Sequence, residues 1–222
     1  LTSGPGIGWV SLFLLLPLVG IGFISFMTRG ANGEIEFPLT LGNYHRLAGF
    51  GLLGFDPQYP QIILRSLLLG AGTTVACLAA AFPLAFFIAG QPERRKQLAL
   101  ILVVIPFWTN LLIRTFAMME VIRNEGIINS GLILLGVIER PIQIMFTDTA
   151  IMMGMLYVYL PLMVLPLYAS MEKLDFRLIE AGYDLYATRL QVLWRVIIPL
   201  VKPGIIAGSI LVFVPSLGAY VT

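Results

Sequence analysis

The sequence predicts an all-α fold, a polytopic bundle of membrane helices, and three observations carry that prediction. The 222-residue chain is 58% hydrophobic with a mean hydropathy of +0.91. Only 12% of its residues are charged, about half the share of a soluble globular domain. Those charges avoid Leu1 to Thr28, Ser66 to Pro92, Thr149 to Met171 and Pro203 to Thr222. A spanning helix needs about 20 apolar residues, and each of these runs is that long. A further run, Gln97 to Ile113, has 17 residues and sits at the lower limit. The composition excludes a disordered chain, a nucleic-acid-binding domain and most soluble enzymes; the partner it does imply is a lipid bilayer.

Span one is expected from Ile7 to Thr28. It has no basic leading region or small-residue cleavage site, and its apolar stretch is longer than that of a signal peptide, so it reads as a retained helix. A polar stretch follows, Arg29 to Arg65, with Glu34, Glu36 and Asp56. Span two, Ser66 to Gly90, exceeds the hydrocarbon thickness at about 1.5 Å per residue and should tilt. The turn from Gln91 to Lys96 carries Arg94, Arg95 and Lys96 together. Span three is expected from Gln97 to Met118. In the mixed segment Met119 to Asp148, the apolar stretch Ile127 to Ile138 is too short to cross, so it lies at the interface or re-enters. Span four runs from Thr149 to Ser170, and a polar segment follows, Glu172 to Lys202. Span five starts near Pro203 and continues to the end. No strand periodicity or internal repeat stands out.

Basic residues give the orientation. The segments before spans three and five hold eight of them, Arg94, Arg95, Lys96, Lys173, Arg177, Arg189, Arg195 and Lys202, against five acids. The opposite side holds six, Arg29, Arg46, Arg65, Arg114, Arg123 and Arg140, against seven acids. The positive-inside rule puts residues 172–202 in the cytoplasm, and the N-terminus with them.

Several chemistries are excluded. The single cysteine, Cys77, cannot form an internal disulfide or a paired metal site, and it lies in an apolar run as a small buried residue would. The single histidine, His45, rules out an HExxH zinc motif. No Gly-Lys dipeptide occurs, so the chain has no P-loop. Prolines lie in or beside the spans at 17, 83, 106, 161, 166 and 215, where each frees a carbonyl and kinks its helix. They suit either fixed packing kinks or a bundle that rocks. Gly70-Ala71-Gly72 and the pair Gly204 and Gly208 permit close helix approach. Pro106-Phe107-Trp108-Thr109-Asn110, with Arg114 after it, places polar groups inside a span. That pattern fits an interfacial belt or a functional site.

The cytoplasmic segment carries the most information. Glu180 and Asp184 share one face of a short helix, and Ala181 and Leu185 share an adjacent one. Pro199 and Pro203 mark the return to the membrane. The pattern alone is compatible with a solvated linker or with a docking helix.

The segment Glu180-Ala181-Gly182-Tyr183-Asp184-Leu185-Tyr186, with Ile197 and Pro199, resembles the EAA loop of type-I ATP-binding-cassette (ABC) importer permeases. It matches at Glu180, Ala181, Ile197 and Pro199. It departs at Gly182 for Ala, Tyr186 for Gly and Ile198 for Leu. Tyr186 replaces the glycine that bends the coupling helix, so a change in loop geometry or docking is expected there. Asn43 to Leu47, Ile105 to Arg114, Ile144 to Thr147 and Leu165 to Asp175 are similar to the spermidine/putrescine permeases of this superfamily. The likeness covers nearly the whole chain.

The resemblance implies the MetI-like permease fold as one domain, residues 1–222, with the coupling loop at 172–202. It implies six spans; five are seen and the sixth is expected beyond Thr222. It also implies a bacterial inner-membrane location and no catalytic or metal-binding residues. The expected partners are a homologous second permease, two ATPase subunits that hold ATP and magnesium in trans, and an external substrate-binding protein. Coupling falls to Glu180, Ala181, Gly182, Asp184, Leu185 and Tyr186. A flexible polycation needs carboxylates or aromatic faces along its path, and Trp108, Asn110, Glu120, Tyr157 and Tyr159 are the candidates. Iron(III), sulfate, molybdate or thiamine as cargo, or a scaffold or channel without ATP coupling, remain alternatives.

Overall fold

The computed structural model describes residues 4–30, 34–51 and 54–219. The chain divides into two compact units, residues 1–65 and 66–222.

In the first unit, α1 (Gly4–Ser25) contains Pro17 and no charged residue. None of its described side chains is buried within the chain, as suits a helix that is apolar all round and meets lipid or another subunit. The polar stretch is not simple coil. β1 (Met27–Arg29) pairs antiparallel with β2 (Ile35–Leu39). After α2 (Gly42–Leu47), β3 (Phe50–Gly51) pairs with β4 (Gly54–Phe55). These strands are two to five residues long, too short for a two-residue alternation to register in the sequence. Asn43 holds the first ribbon to α1, its Nδ2 donating to the carbonyls of Ser25 and Met27 at 2.9 Å each.

α3 (Gln58–Ala89) has 32 residues and begins eight before the expected start, because Asp56 accepts the Gln58 amide at 3.0 Å. Pro60 is tolerated in the first turn, where backbone amides have no helical partner. In the second unit, α3 packs with α7 (Asp148–Met171) and α10 (Ile198–Gly218) around one core. Cys77, Ala81, Ala85 and Ile88 fall on one face of α3 and are fully buried. They meet Met163, Val164, Leu167 and Met171 of α7, and Val201 and Val212 of α10. Cys77 is a small core residue, as its sequence context implied.

The paired glycines do what their spacing allows. A Cβ at Gly204 would collide with the Ser170 side chain and come within 2.6 Å of the Pro166 carbonyl. One at Gly208 would come within 2.7 Å of Met163 Sδ. Gly70 faces Leu217 and Phe213, and Gly72 faces Met152.

Span three differs from expectation. A continuous helix over Gln97 to Met118 is replaced by α4 (Glu93–Val104), a 3-10 turn (Ile105–Trp108), and α5 (Leu111–Ile122), followed by α6 (Ile127–Leu134). The two halves, Glu93–Trp108 and Leu111–Leu134, are bent by 97°. Pro106 cannot continue the amide ladder. Thr109 is extended, and Asn110 restarts the helix by accepting the Leu112 amide at 2.8 Å. Among the described residues, four helices are therefore long and apolar enough to cross a membrane, and five if the bent pair counts as one span.

Span five starts earlier than expected. Helix is continuous from α9 (Arg189–Val192) through a π segment (Leu193–Ile197) into α10. Pro199 explains the π segment: its ring and missing N–H displace the carbonyl four residues back, and the ladder widens by one residue. The Ile198 amide accordingly donates to the carbonyl of Leu193. The continuation of this span through Tyr220 to Thr222 lies outside the described residues.

Candidate functional site

The polar segment after α7 folds into α8 (Arg177–Asp184), a turn, and α9. Ile179 is buried in the core cluster and Phe176 packs on Phe86 of α3, ring centroids 6.1 Å apart. Gly182 lies against Val192, where a Cβ would sit only 3.1 Å from a methyl group. An alanine, the residue of the EAA pattern, would have to push Val192 aside. The opposite face is open: Glu180, Ala181, Asp184, Leu185 and Tyr186 are all exposed. The six coupling candidates thus form one short element, anchored on one side and presented on the other.

Tyr186 occupies the left-handed region, at φ 59°. The Ala187 amide donates to the Gly182 carbonyl and the Tyr186 amide to that of Tyr183, which is the closing pattern of a Schellman turn. The bend expected of a glycine is therefore kept with a tyrosine. Its ring is 96% exposed, so the side chain gains no packing that would offset the backbone cost within this chain. Tyr186→Gly is expected to stabilise the α8–α9 turn by about 1 kcal/mol. Slower amide hydrogen exchange across residues 181–187 would register this; unchanged exchange would mean that the turn carries no strain.

A polar tie sits at the same end of this unit. Tyr168 Oη donates to Glu172 at 2.6 Å, and Lys96 Nζ lies 3.5 Å from both Glu172 and Glu93. The tyrosine hydroxyl, with Lys96 behind it, holds the Glu172 carboxyl below its usual range. The tie is therefore ionised at neutral pH, and it places the two most basic loops at one end of the unit.

Relatives identify the chain where family models do not, since no family model matches it. It is 44% identical over 214 residues to the spermidine/putrescine transport system permease protein PotB of Escherichia coli (strain K12), covering 96% of this chain and 75% of the relative. PotB of Haemophilus influenzae is 41% identical over 212 residues, covering 96% and 72%. The chain belongs to the PotB permease family. Among solved structures, that of a bacterial ABC transporter involved in the import of the acidic polysaccharide alginate matches with a TM-score of 0.57. It covers 92% of this chain and 68% of that one at 17% identity, and so shows the fold. As a member of the PotB family, the chain is a transport permease subunit rather than an enzyme.

The path candidates of this PotB-family chain are spread over the bend before α5, α5 itself and α7. Trp108 stands at the bend, 86% exposed. Asn110 is engaged as the cap of α5. Tyr157 is exposed on α7, whereas Tyr159 is half-buried with its hydroxyl donating to the Pro215 carbonyl at 3.5 Å. Glu120 accepts both of its hydrogen bonds from Arg123, at 2.8 and 2.9 Å. That pairing neutralises Glu120 and holds the guanidinium of Arg123 above its ordinary range.

Arg114 is the residue whose role the sequence left most open. It is buried, 5% exposed, and has no carboxylate partner among the described residues. Its Nη2 donates to the Thr109 carbonyl at 3.0 Å, and its guanidinium lies 5.8 Å from the Phe107 ring centre. The carbonyl it caps is one that the break leaves without a helical partner. Arg114 therefore clamps the bend, and its Nε has no hydrogen-bond partner.

Sequence reasoning missed two groups. One is Asn129, fully buried, which bonds the carbonyls of Arg123 and Ile142 and the amide of Ile142. The other is the cleft beside it, about 310 Å³ in volume, lined by Arg123, Asn124, Glu125, Gln143, Met145 and Phe146. A lone Asn in the apolar stretch 127–138 was the available signal.

Proposed function

We propose that this chain is the permease subunit of an inner-membrane ABC importer that carries polyamines into the cytoplasm. The observation that carries the reading is 44% identity to a spermidine/putrescine permease over 96% of the chain. The exposed face of α8, on a firmly anchored element, supports docking to an ATPase subunit. In this reading ATP and magnesium sit on two ATPase copies, a homologous second permease completes the membrane pore, and an external protein delivers the cargo. Residues 172–202 and the N-terminus face the cytoplasm, in keeping with the charge bias of the loops. ATP-driven closure pushes α8, and the proline-kinked spans rock between outward- and inward-facing states. This chain performs no covalent step.

The test is ATP-dependent uptake of labelled spermidine by the full complex in proteoliposomes. Unlabelled putrescine should compete, and iron(III) and sulfate should not. Absence of spermidine uptake, with ATPase activity stimulated by another solute, would keep the importer and reassign its cargo.

A further inference from the structure

We propose that the cleft between the α5–α6 turn and the segment before α7 is a receiving site for an alkylammonium cation, gripped by the Glu125 carboxylate and the Phe146 ring. The proposal rests on the function given above and names a site for its cargo.

Charge comes first. Two charged groups line the cleft, Arg123 and Glu125, and Glu120 is bonded to the first of them. Arg123 is taken up by Glu120 through two short bonds. Glu125 has no hydrogen bond or ion pair among the described residues, and it is exposed. Glu125 also acts on Arg123 electrostatically, so one guanidinium stands against two carboxylates and the group keeps a net negative charge. Gln143 and Asn124 add amide oxygens, and Met145 and Phe146 add a thioether and an aromatic face. A carboxylate, neutral acceptors and a polarisable wall suit an ammonium group that carries a methylene chain. The volume, about 310 Å³, lies at the lower end for small-molecule sites, which run from about 300 to 1,000 Å³.

The cleft is also built rather than incidental. Asn129 joins its two walls: Nδ2 reaches the Arg123 carbonyl at 3.2 Å and the Ile142 carbonyl at 3.0 Å, and Oδ1 accepts the Ile142 amide at 2.9 Å. Gly126 fixes the first wall, since a Cβ there would lie 2.5 Å from the Val121 carbonyl. On the second wall, Phe146 takes a left-handed backbone at φ 63° with its ring 89% exposed. A bulky residue rarely holds that conformation. The ring stands outward at the cleft, and among the described residues no other aromatic ring packs on it.

The test is site-specific protection in the complete importer. Gln143→Cys places a thiol on the cleft wall and leaves Glu125 and Phe146 intact; Cys77 is buried and gives the background. Labelling by a small neutral maleimide is followed by intact mass. Spermidine should slow labelling, and butane-1,4-diol, which has no charge, should not. Adding Glu125→Gln should raise the half-protecting spermidine concentration about tenfold, the equivalent of 1.4 kcal/mol. Phe146→Asn, which keeps a residue tolerant of the left-handed backbone, should raise it about threefold. If the complex transports spermidine but spermidine never protects, the site is wrong while the function stands. Protection that is unchanged by Glu125→Gln, or that comes from the cargo-free external protein alone, also overturns the proposal and points to protein docking. If spermidine is not transported at all, the function given above has failed first.

Discussion

Gly204→Leu is expected to leave little or no folded permease in the membrane. α7 and α10 pack tightly at Gly204, where an added Cβ would meet the Ser170 side chain and the backbone oxygen of Pro166. A side chain can rotate away, but a carbonyl inside a helix cannot, so the helices themselves would have to separate. Even Gly204→Ala should cost about 1–3 kcal/mol through overpacking. Gly208→Ala is the internal comparison. Its nearest obstacle is Met163 Sδ at 2.7 Å, the flexible end of an adaptable side chain. It should cost well under half as much. Thermal melting of the detergent-purified complex would separate the two. Equal melting of Gly204→Ala and the parent would mean that the helices are not in contact there.

Glu180→Lys is the second large effect expected, on coupling rather than on folding. The side chain is exposed, so reversal removes no internal contact. Uptake should fall at least about tenfold, and cargo-stimulated ATP hydrolysis should lose its tie to transport, a loss of about 1.4 kcal/mol or more in productive docking. One local cost must be separated out. Glu180 lies in the first turn of α8, where a negative charge favours the helix by about 0.3–1 kcal/mol. Glu180→Gln removes that benefit without placing a positive charge on the surface, so its uptake should lie between the two. If Glu180→Lys transports as well as the parent, the exposed face of α8 is a solvated linker.

The spans were legible because charge is excluded from lipid over a whole helix length. That signal is long and additive, and it located α1, α3, α7 and α10 to within several residues. The segment that resembles the EAA loop stood out because its pattern is local: Glu180, Ala181 and Pro199 stand at fixed separations. The break in span three was not. Hydropathy sums over Pro106 and Asn110 and sees one apolar run, whereas the bend depends on a cap and on Arg114 reaching back to Thr109. The short ribbons escaped because two to five residues cannot display a period. Asn129 escaped for another reason: its partners at 123 and 142 are joined only by the fold. Tyr186 is the converse case. The sequence showed the substitution, and only the backbone revealed that the bend survives it.

Continuity of α9, the π segment and α10 bears on how force would travel. Thirty residues from Arg189 to Gly218 form one hydrogen-bonded rod, about 45 Å long at 1.5 Å per residue. One end follows the turn after α8; from there the rod runs past Val201, Val212 and Ser216, which are buried in the bundle. A thrust passed through the turn at residues 185–188 into α9 would meet no further loop along the rod. The widened turn at Leu193–Ile197 is a compliant washer in the shaft, and Pro203 and Pro215 loosen its ladder further in. Its spare residue lets the rod twist or shorten slightly without snapping its ladder, so a small stroke at the surface can reach the core as rotation.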